Sequence, residues 1–428
     1  MEKDQNHRDE FQYDRYGYIT LKDSNTIGRV CVPEGARGIA DSGFLWCEQV
    51  TEVFLPDSVT EIDEGAFEGC IGLTDLNIPK GVTRIGEDAF KGCVSLRHLT
   101  IPSGATITEW NPFSGCPELQ LSVAPGNPDL RMAGNCLIDR NGYLISGFDN
   151  SVIPTDGRVT AIGAKAFYGC TGLTEITIPD SVTYIGQGAF FGCSGLTEIT
   201  IPDSVTEMDD EAFAGCSGLT HIRLPEHLTR IGVCLLSGCS SLTSISIPNS
   251  VTCVDEFAFD HTGLTEITIP RSVTTIKPSV CTGCASLTDI RVEEGNPVYH
   301  SDGNCLIETA GRKLLVGCRN SIIPSDGSVT CISECGFFRC PTLTEITVPD
   351  GVICIGDYAF EDCVDLADVT LPTGIQYIGS CAFTECSRLT SIRYGGTTAQ
   401  WARVTKDRQW DAYSVIEVIH CTDGDIPL

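Results

Sequence analysis

Leu173-Thr-Glu-Ile-Thr-Ile-Pro-Asp-Ser-Val-Thr-Tyr-Ile-Gly-Gln-Gly-Ala-Phe-Phe-Gly-Cys-Ser-Gly195 is the stretch whose reading decides the fold. Its first six residues alternate, with Ile176 and Ile178 on one side and Glu175 and Thr177 on the other, the pattern of a short half-buried strand. Pro179-Asp-Ser ends that strand, because proline cannot donate to a central ladder. Val182-Thr-Tyr-Ile185 reads as a second extended segment closed by Gly186. Ala189-Phe190 then opens a tight turn or single helical turn that returns the chain. So small a unit cannot bury its apolar edge alone, so copies must stack to make a core.

The copies are present. The Phe190 position recurs as Phe44, Phe67, Phe90 and Phe113, then Phe167, Phe190, Phe213, Leu236, Phe259 and Cys281, then Phe337, Phe360 and Phe383. The step within each block is 23 residues, except for one of 22 into Cys281. A fixed period of this length marks a solenoid. The sequence therefore predicts a β-rich solenoid of about 13 rungs, with short strands joined by turns or short helical turns.

The two gaps in the series are themselves copies. Gly126-Asn-Pro128 and Gly134-Asn-Cys-Leu-Ile138 recur as Gly295-Asn-Pro297 and Gly303-Asn-Cys-Leu-Ile307. Residues 136–145 read as a β-hairpin around Asn141-Gly142, and residues 305–316 repeat it around Ala310-Gly311. These are rungs carrying an extra hairpin, at about 120–160 and 290–330, rather than linkers. Residues 1–43 are expected to cap the solenoid of residues 44–395 at its N-terminal end, and residues 396–428, with Trp401 and Trp410, to cover the last rung.

The rung pattern Leu-x-x-Ile-x-Ile-Pro-x-x-Val-Thr-x-Ile-Gly-x-x-Ala-Phe-x-Gly-Cys resembles the BspA-type leucine-rich repeat of bacterial surface antigens. The likeness runs from about residue 27 to residue 426. Tyr394-Gly-Gly-Thr-Thr-Ala-Gln-Trp401 and Cys421-Thr-Asp-Gly-Asp425 also look like the closing module of bacterial members. The resemblance implies a curved, non-enzymatic leucine-rich-repeat solenoid that adheres to a host matrix or cell-surface protein.

The formal net charge of −29, from 57 acidic and 28 basic residues, argues against nucleic acid and anionic membranes as partners. It keeps a long repetitive surface soluble. No apolar run approaches the roughly 20 residues of a membrane span, and Met1 to Glu10 lacks the apolar stretch of a secretory signal. That start favours the cytoplasm, whereas the resemblance favours the cell surface or secretion.

Twelve of the 24 cysteines fall on one rung position: Cys47, Cys70, Cys93, Cys116, Cys170, Cys193, Cys216, Cys239, Cys284, Cys340, Cys363 and Cys386. A small apolar thiol recurring at one interior position reads as a buried ladder. Cys331 and Cys354 share a position on adjacent rungs and are placed to touch. Cys318, Cys331, Cys335 and Cys340 fit no standard zinc spacing, and no metal or cofactor is expected. The seven histidines, His7, His98, His221, His227, His261, His300 and His420, form no HExxH, and neither GxSxG nor a phosphate-binding glycine loop occurs. No catalytic residue is assigned.

The candidate site is the outward side of the main strand ladder, with Glu175, Thr177, Glu198, Thr200, His221, Arg223, Glu266, Asp289 and Arg291 as contacts for a protein partner. His221, Arg223 and Arg291 interrupt an acidic–Thr run and carry more information than the consensus. The bland alternative is that Glu and Thr are soluble strand residues copied with the unit. Two other functions stay open, an intracellular interaction scaffold and a carbohydrate-binding module. The second is weakened by the lack of an outward aromatic row, although Tyr184 and Tyr377 are rung-surface aromatics.

Overall fold

A computed structural model describes residues 10–108 and 110–428. The expectations for the extreme N-terminus, His7 included, lie outside the described residues. The chain divides into two compact units, Met1–Leu219 and Thr220–Leu428, and the division falls at neither insert.

Most rungs contribute a front strand, from the Leu-Thr-x-Ile-x-Ile segment, and a short back strand from the Val-Thr-x-Ile segment. In the first unit the back strands Tyr18–Leu21, Gly38–Ile39, Glu61–Ile62, Arg84–Ile85 and Thr106–Ile107 stack in parallel, with Phe11–Tyr13 antiparallel at the edge. A second back sheet there ends in Ala161–Ile162, Tyr184–Ile185 and Glu207–Met208. In the second unit Arg230–Ile231, Cys253–Val254 and Thr275–Ile276 form one back sheet, and Cys331–Ile332, Cys354–Ile355, Tyr377–Ile378 and Thr405–Lys406 continue another. The described residues form a β-solenoid of about 17 turns, more than the rungs read from the Phe position. The two insert-bearing turns and a turn within each cap lack that position, and so escape the motif.

One residue per back strand points inward, and Ile62, Ile85, Ile162, Ile185, Ile231, Ile332, Ile355 and Ile378 are fully buried. The adjoining Thr binds the next layer. Thr83, Thr106, Thr183 and Thr252 hydroxyls donate to the carbonyls of Thr60, Thr83, Thr160 and Thr229 one rung back. Thr thus satisfies a β-branched strand position and a backbone acceptor together.

The third corner carries the Phe and Cys columns. Phe67 and Phe90 stack with ring centroids 5.4 Å apart, Phe167 and Phe190 at 5.0 Å, and Phe337 and Phe360 at 5.1 Å. The Cys column is buried, as the repeat predicts, and it is more than apolar filling. Cys70, Cys93, Cys193, Cys216 and Cys386 thiols each donate at 3.1 Å to the carbonyl of the Phe 26 residues earlier. Each of these rungs is thereby tied to the previous turn by a weak bond inside the core. The corner turns left-handed two residues after the Phe, where Gly92 has φ 72° and Gly192 φ 71°, and glycine adopts this without strain.

Both inserts are three-stranded antiparallel meanders, one strand richer than the expected hairpin. Leu130–Ala133, Cys136–Asp139 and Tyr143–Ser146 form the first, and Tyr299–Asp302, Cys305–Glu308 and Lys313–Val316 the second. The extra strand enters through Gly134-Asn135 and Gly303-Asn304, all four at φ between 56° and 59°, as a two-residue type I′ turn requires. The last strand of each meander joins the back ladder in parallel, Tyr143 opposite Ala161 and Lys313 opposite Cys331.

Two details differ from the sequence reading. Residues 173–178 alternate in burial as expected, yet they join no ladder. Residues 242–248 of the second unit likewise join none, whereas Glu345–Thr347, just after the second insert, pairs with Asp368–Leu371. In the second hairpin the left-handed residue is Arg312, φ 54°, and not Gly311, because this loop is one residue longer than that around Gly142.

At the C-terminal end, Thr398–Trp401 forms a short helix with a Thr397–Gln400 capping box. Trp410 meets Phe383 edge-on at 6.1 Å, and Trp401 and Trp410 are both buried, closing the Phe column. The segment still supplies another back strand, Thr405–Lys406, and another front strand, Val418–Cys421.

Candidate functional site

Alternation decides what the front strands display. In the first unit Glu198 and Thr200 are exposed around buried Ile199, and Glu175 and Thr177 are exposed around half-buried Ile176. In the second unit His221 and Arg223 flank Ile222 on the strand His221–Arg223. Farther along that unit, Glu266–Ile269 pairs in register with Asp289–Val292, setting Glu266 beside Asp289 and Thr268 beside Arg291. The structure therefore gathers Glu266, Asp289 and Arg291 into one cluster. The other six residues are exposed on their own rungs.

That cluster changes the meaning of Arg291. Its guanidinium bonds to Asp289 and lies 3.4 Å from Glu266, so it is partnered within the ladder rather than standing alone against an acidic run. His221 Nδ1 lies 3.0 Å from the Thr220 hydroxyl. Exposed pairs of this kind contribute about 0–1 kcal/mol to stability, so their groups remain available to an incoming partner.

The same spacing yields outward residues that the sequence reading passed over. Arg29 stacks 3.8 Å over the ring of Phe54, an exposed aromatic on the front strand Val50–Phe54. Arg393 bonds Asp368 at 2.9 Å across the front strands Asp368–Leu371 and Ser391–Tyr394. Counting by 23 from Glu175 is broken by the inserts, whereas counting within the first and the last block reaches Phe54 and Arg393. Of the rung-surface aromatics, Tyr184 donates its hydroxyl to Asp209 and Tyr377 is half-exposed, both on back strands.

Thiols concentrate at the second insert. Cys281, Cys284, Cys318, Cys335 and Cys340 line one cavity with room for about one water-sized sphere, ≈ 20 Å³. Burial pushes Cys340 up to about 12 and raises Cys318 and Cys335, so these are neutral thiols. Cys331 sits apart on the back ladder, so the four thiols weighed as a zinc set do not converge. Among the described residues no group of three or more His, Cys, Asp or Glu is placed to hold a metal ion.

Stacked rungs, a Phe–Cys corner and a polar front ladder agree with one family. The BspA-type leucine-rich repeat region matches residues 21–130, 160–288 and 311–400, in six copies. The chain belongs to the BspA-type leucine-rich repeat family. Among solved structures, this BspA-type chain is similar to a leucine-rich repeat protein of Eubacterium ventriosum, with 21% identity, TM-score 0.49, and 82% of this chain and 92% of that one covered. It is also similar to a leucine-rich cell surface protein of Faecalibacterium prausnitzii, with 22% identity, TM-score 0.38, and coverage of 93% and 96%. A leucine-rich repeat protein of Bacteroides ovatus shares 25% identity, with TM-score 0.38 and coverage of 90% and 89%. A comparison with curated proteins finds no match. No helix among the described residues is long and apolar enough to cross a membrane.

Proposed function

We propose that this BspA-type solenoid is a non-enzymatic binding protein that adheres to a host matrix or cell-surface protein through its front strands. Glu175, Thr177, Glu198 and Thr200 are the contacts in the first unit, and His221, Arg223, Glu266, Asp289 and Arg291 those in the second. The observation that carries this reading is the strict alternation. Every inward neighbour is buried or half-buried, while the proposed contacts are polar and those of Glu266–Ile269 and Asp289–Val292 lie in strand register. Such a surface favours many shallow contacts over capture of a small molecule. Its acidity suits a partner with basic patches, which it would steer electrostatically.

The test is titration of purified matrix and cell-surface proteins against wild type and against Glu175→Lys/Glu198→Lys and Glu266→Lys, one variant per unit. Glu266→Gln separates loss of the Arg291 pairing from charge reversal. A partner should bind wild type saturably and lose about tenfold or more in affinity in a reversed variant, mostly through a slower association rate. Unchanged affinity in both would remove the front strands as the site. Absence of saturable binding across the panel would overturn the adhesive reading.

A further inference from the structure

The back ladder of the second unit carries two thiols side by side. Cys331 and Cys354 occupy the same position of adjacent parallel strands and are direct register partners. Neighbouring strands lie about 4.8 Å apart, within the Cα separations that a disulfide spans. Both side chains are half-exposed, unlike the buried column at the Phe corner. Lys313 precedes Cys331 in the same register, and its ammonium favours a nearby thiolate. A groove of about 370 Å³ borders Cys331, with Lys277, Tyr299, Glu308, Lys313 and Glu334 among its lining. Its size and mixed charge suit a small zwitterionic molecule.

We propose that Cys331 and Cys354 form a redox-active dithiol that a small zwitterionic disulfide, of the glutathione class, oxidises reversibly to an intramolecular disulfide. The Cys354 thiolate attacks one sulfur of the small disulfide. That S–S bond breaks, and the departing thiolate takes up a proton. The Cys331 thiol then releases its proton to solvent and attacks the Cys354 sulfur of the mixed disulfide, expelling the second small thiol. Two protein thiols become one disulfide, and one small disulfide becomes two thiols.

The order of attack follows from the pair's asymmetry. Interaction with the neighbouring Cys331 thiol, which itself donates to the Ile332 carbonyl at 3.4 Å, pulls Cys354 down to about 7, against burial and Asp357, and Lys313 acts in the same direction. The same interaction, together with burial, pushes Cys331 up. Cys354 is thus the attacking thiol and Cys331 the resolving one.

The test incubates the full chain with glutathione redox buffers and maps its cysteines by mass spectrometry after alkylation. Wild type should show a Cys331–Cys354 crosslink that dithiothreitol removes. Cys331→Ser should accumulate glutathione on Cys354, and Cys354→Ser should leave Cys331 unmodified. Near neutral pH, wild-type Cys354 should alkylate about tenfold faster than half-exposed Cys31. Both serines sit on an outward position, and circular dichroism checks that they leave the fold intact. Three results would overturn the proposal. The pair could stay reduced while Cys31 and Cys421 are oxidised, wild type could retain glutathione without crosslinking, or the two serine variants could react alike.

Discussion

The two inserts begin from one sequence and end with differently built junctions. At the first, Phe113 and Phe148 are both buried in one core cluster. The corresponding positions of the second hold Cys281 and Cys318, and the lost ring volume leaves a thiol-lined cavity there. Polar contacts diverge in parallel. Lys165 at the first junction bonds Asp88 at 2.8 Å, lies 3.5 Å from Glu87, and sits 5.3 Å from the Trp110 ring. Buried Asn111 adds a bond from its amide to the Lys165 carbonyl at 2.8 Å. The second junction has Cys335 and Ser279 in place of Lys165 and Asn111. What both keep is geometric. Gly147 and Gly317 lie so close to Phe167 and Phe337 that an added Cβ would sit 2.0 Å from either ring. The backbone path of an insert is therefore fixed by a glycine against a ring, while the filling around it is free to vary.

The sharpest way to break this comparison is to hollow the first junction. Phe148→Ala should destabilise the first meander by about 3–5 kcal/mol, the usual cost of removing a buried ring. Cys318→Ala at the equivalent place should cost about 1 kcal/mol, since less is removed and a cavity already exists. Because repeat arrays unfold in parts, the readout is hydrogen exchange of Cys136–Asp139 against Cys305–Glu308 in increasing urea. Equal losses at both would mean that ring filling does not distinguish the junctions.

A smaller effect should come from the polar side. Lys165→Ala strips part-buried Glu87 of its cation, leaves Asp88 with Lys91 alone at 3.5 Å, and loses the contact with Trp110, at a cost of about 1–3 kcal/mol. Cys335→Ala should change the second junction by less than about 1 kcal/mol. Urea-dependent exchange of Ala161–Ile162 and Cys331–Ile332, the back strands nearest the two sites, checks the difference.

These contrasts show what the sequence made legible. A 23-residue period with Phe and Cys at fixed places specifies stacking, because only stacked copies bury those side chains. Rung Phe190 and ladder Cys193 are where that reading placed them. Turns outside the motif were undercounted, since Tyr143–Ser146 and Thr405–Lys406 join the back ladder without the Ala-Phe-x-Gly-Cys signature. The third strand of each meander was hidden because Leu130 and Tyr299 show no alternation distinct from the loops before them. At the candidate site, exposure of Glu198 and Thr200 follows from alternation alone. The pairing of Arg291 with Glu266 and Asp289 depends on which strands adjoin and where long side chains reach, which a one-dimensional pattern does not specify.

The smallest effect predicted is one of pH, and it belongs to the first junction alone. Burial raises the Glu87 carboxyl above its ordinary 4.5, with Lys165 opposing and Asp88 adding to the shift. A carboxyl raised in the folded state binds its proton more tightly there than in the unfolded chain. Its favourable contribution is full below about 4.5 and disappears as pH rises through the folded value. Glu87→Gln removes this titration and should flatten the fall in first-meander stability just above pH 4.5, without altering the second meander. Adding Lys165→Ala should steepen the fall when Glu87 is retained, since the opposing cation is gone, and should have no such effect in the Gln background. Exchange of Cys136–Asp139 followed across the acid range in these variants separates the coupling from simple loss of packing. An unchanged slope in Glu87→Gln would assign the acid response to the general charge of the chain instead.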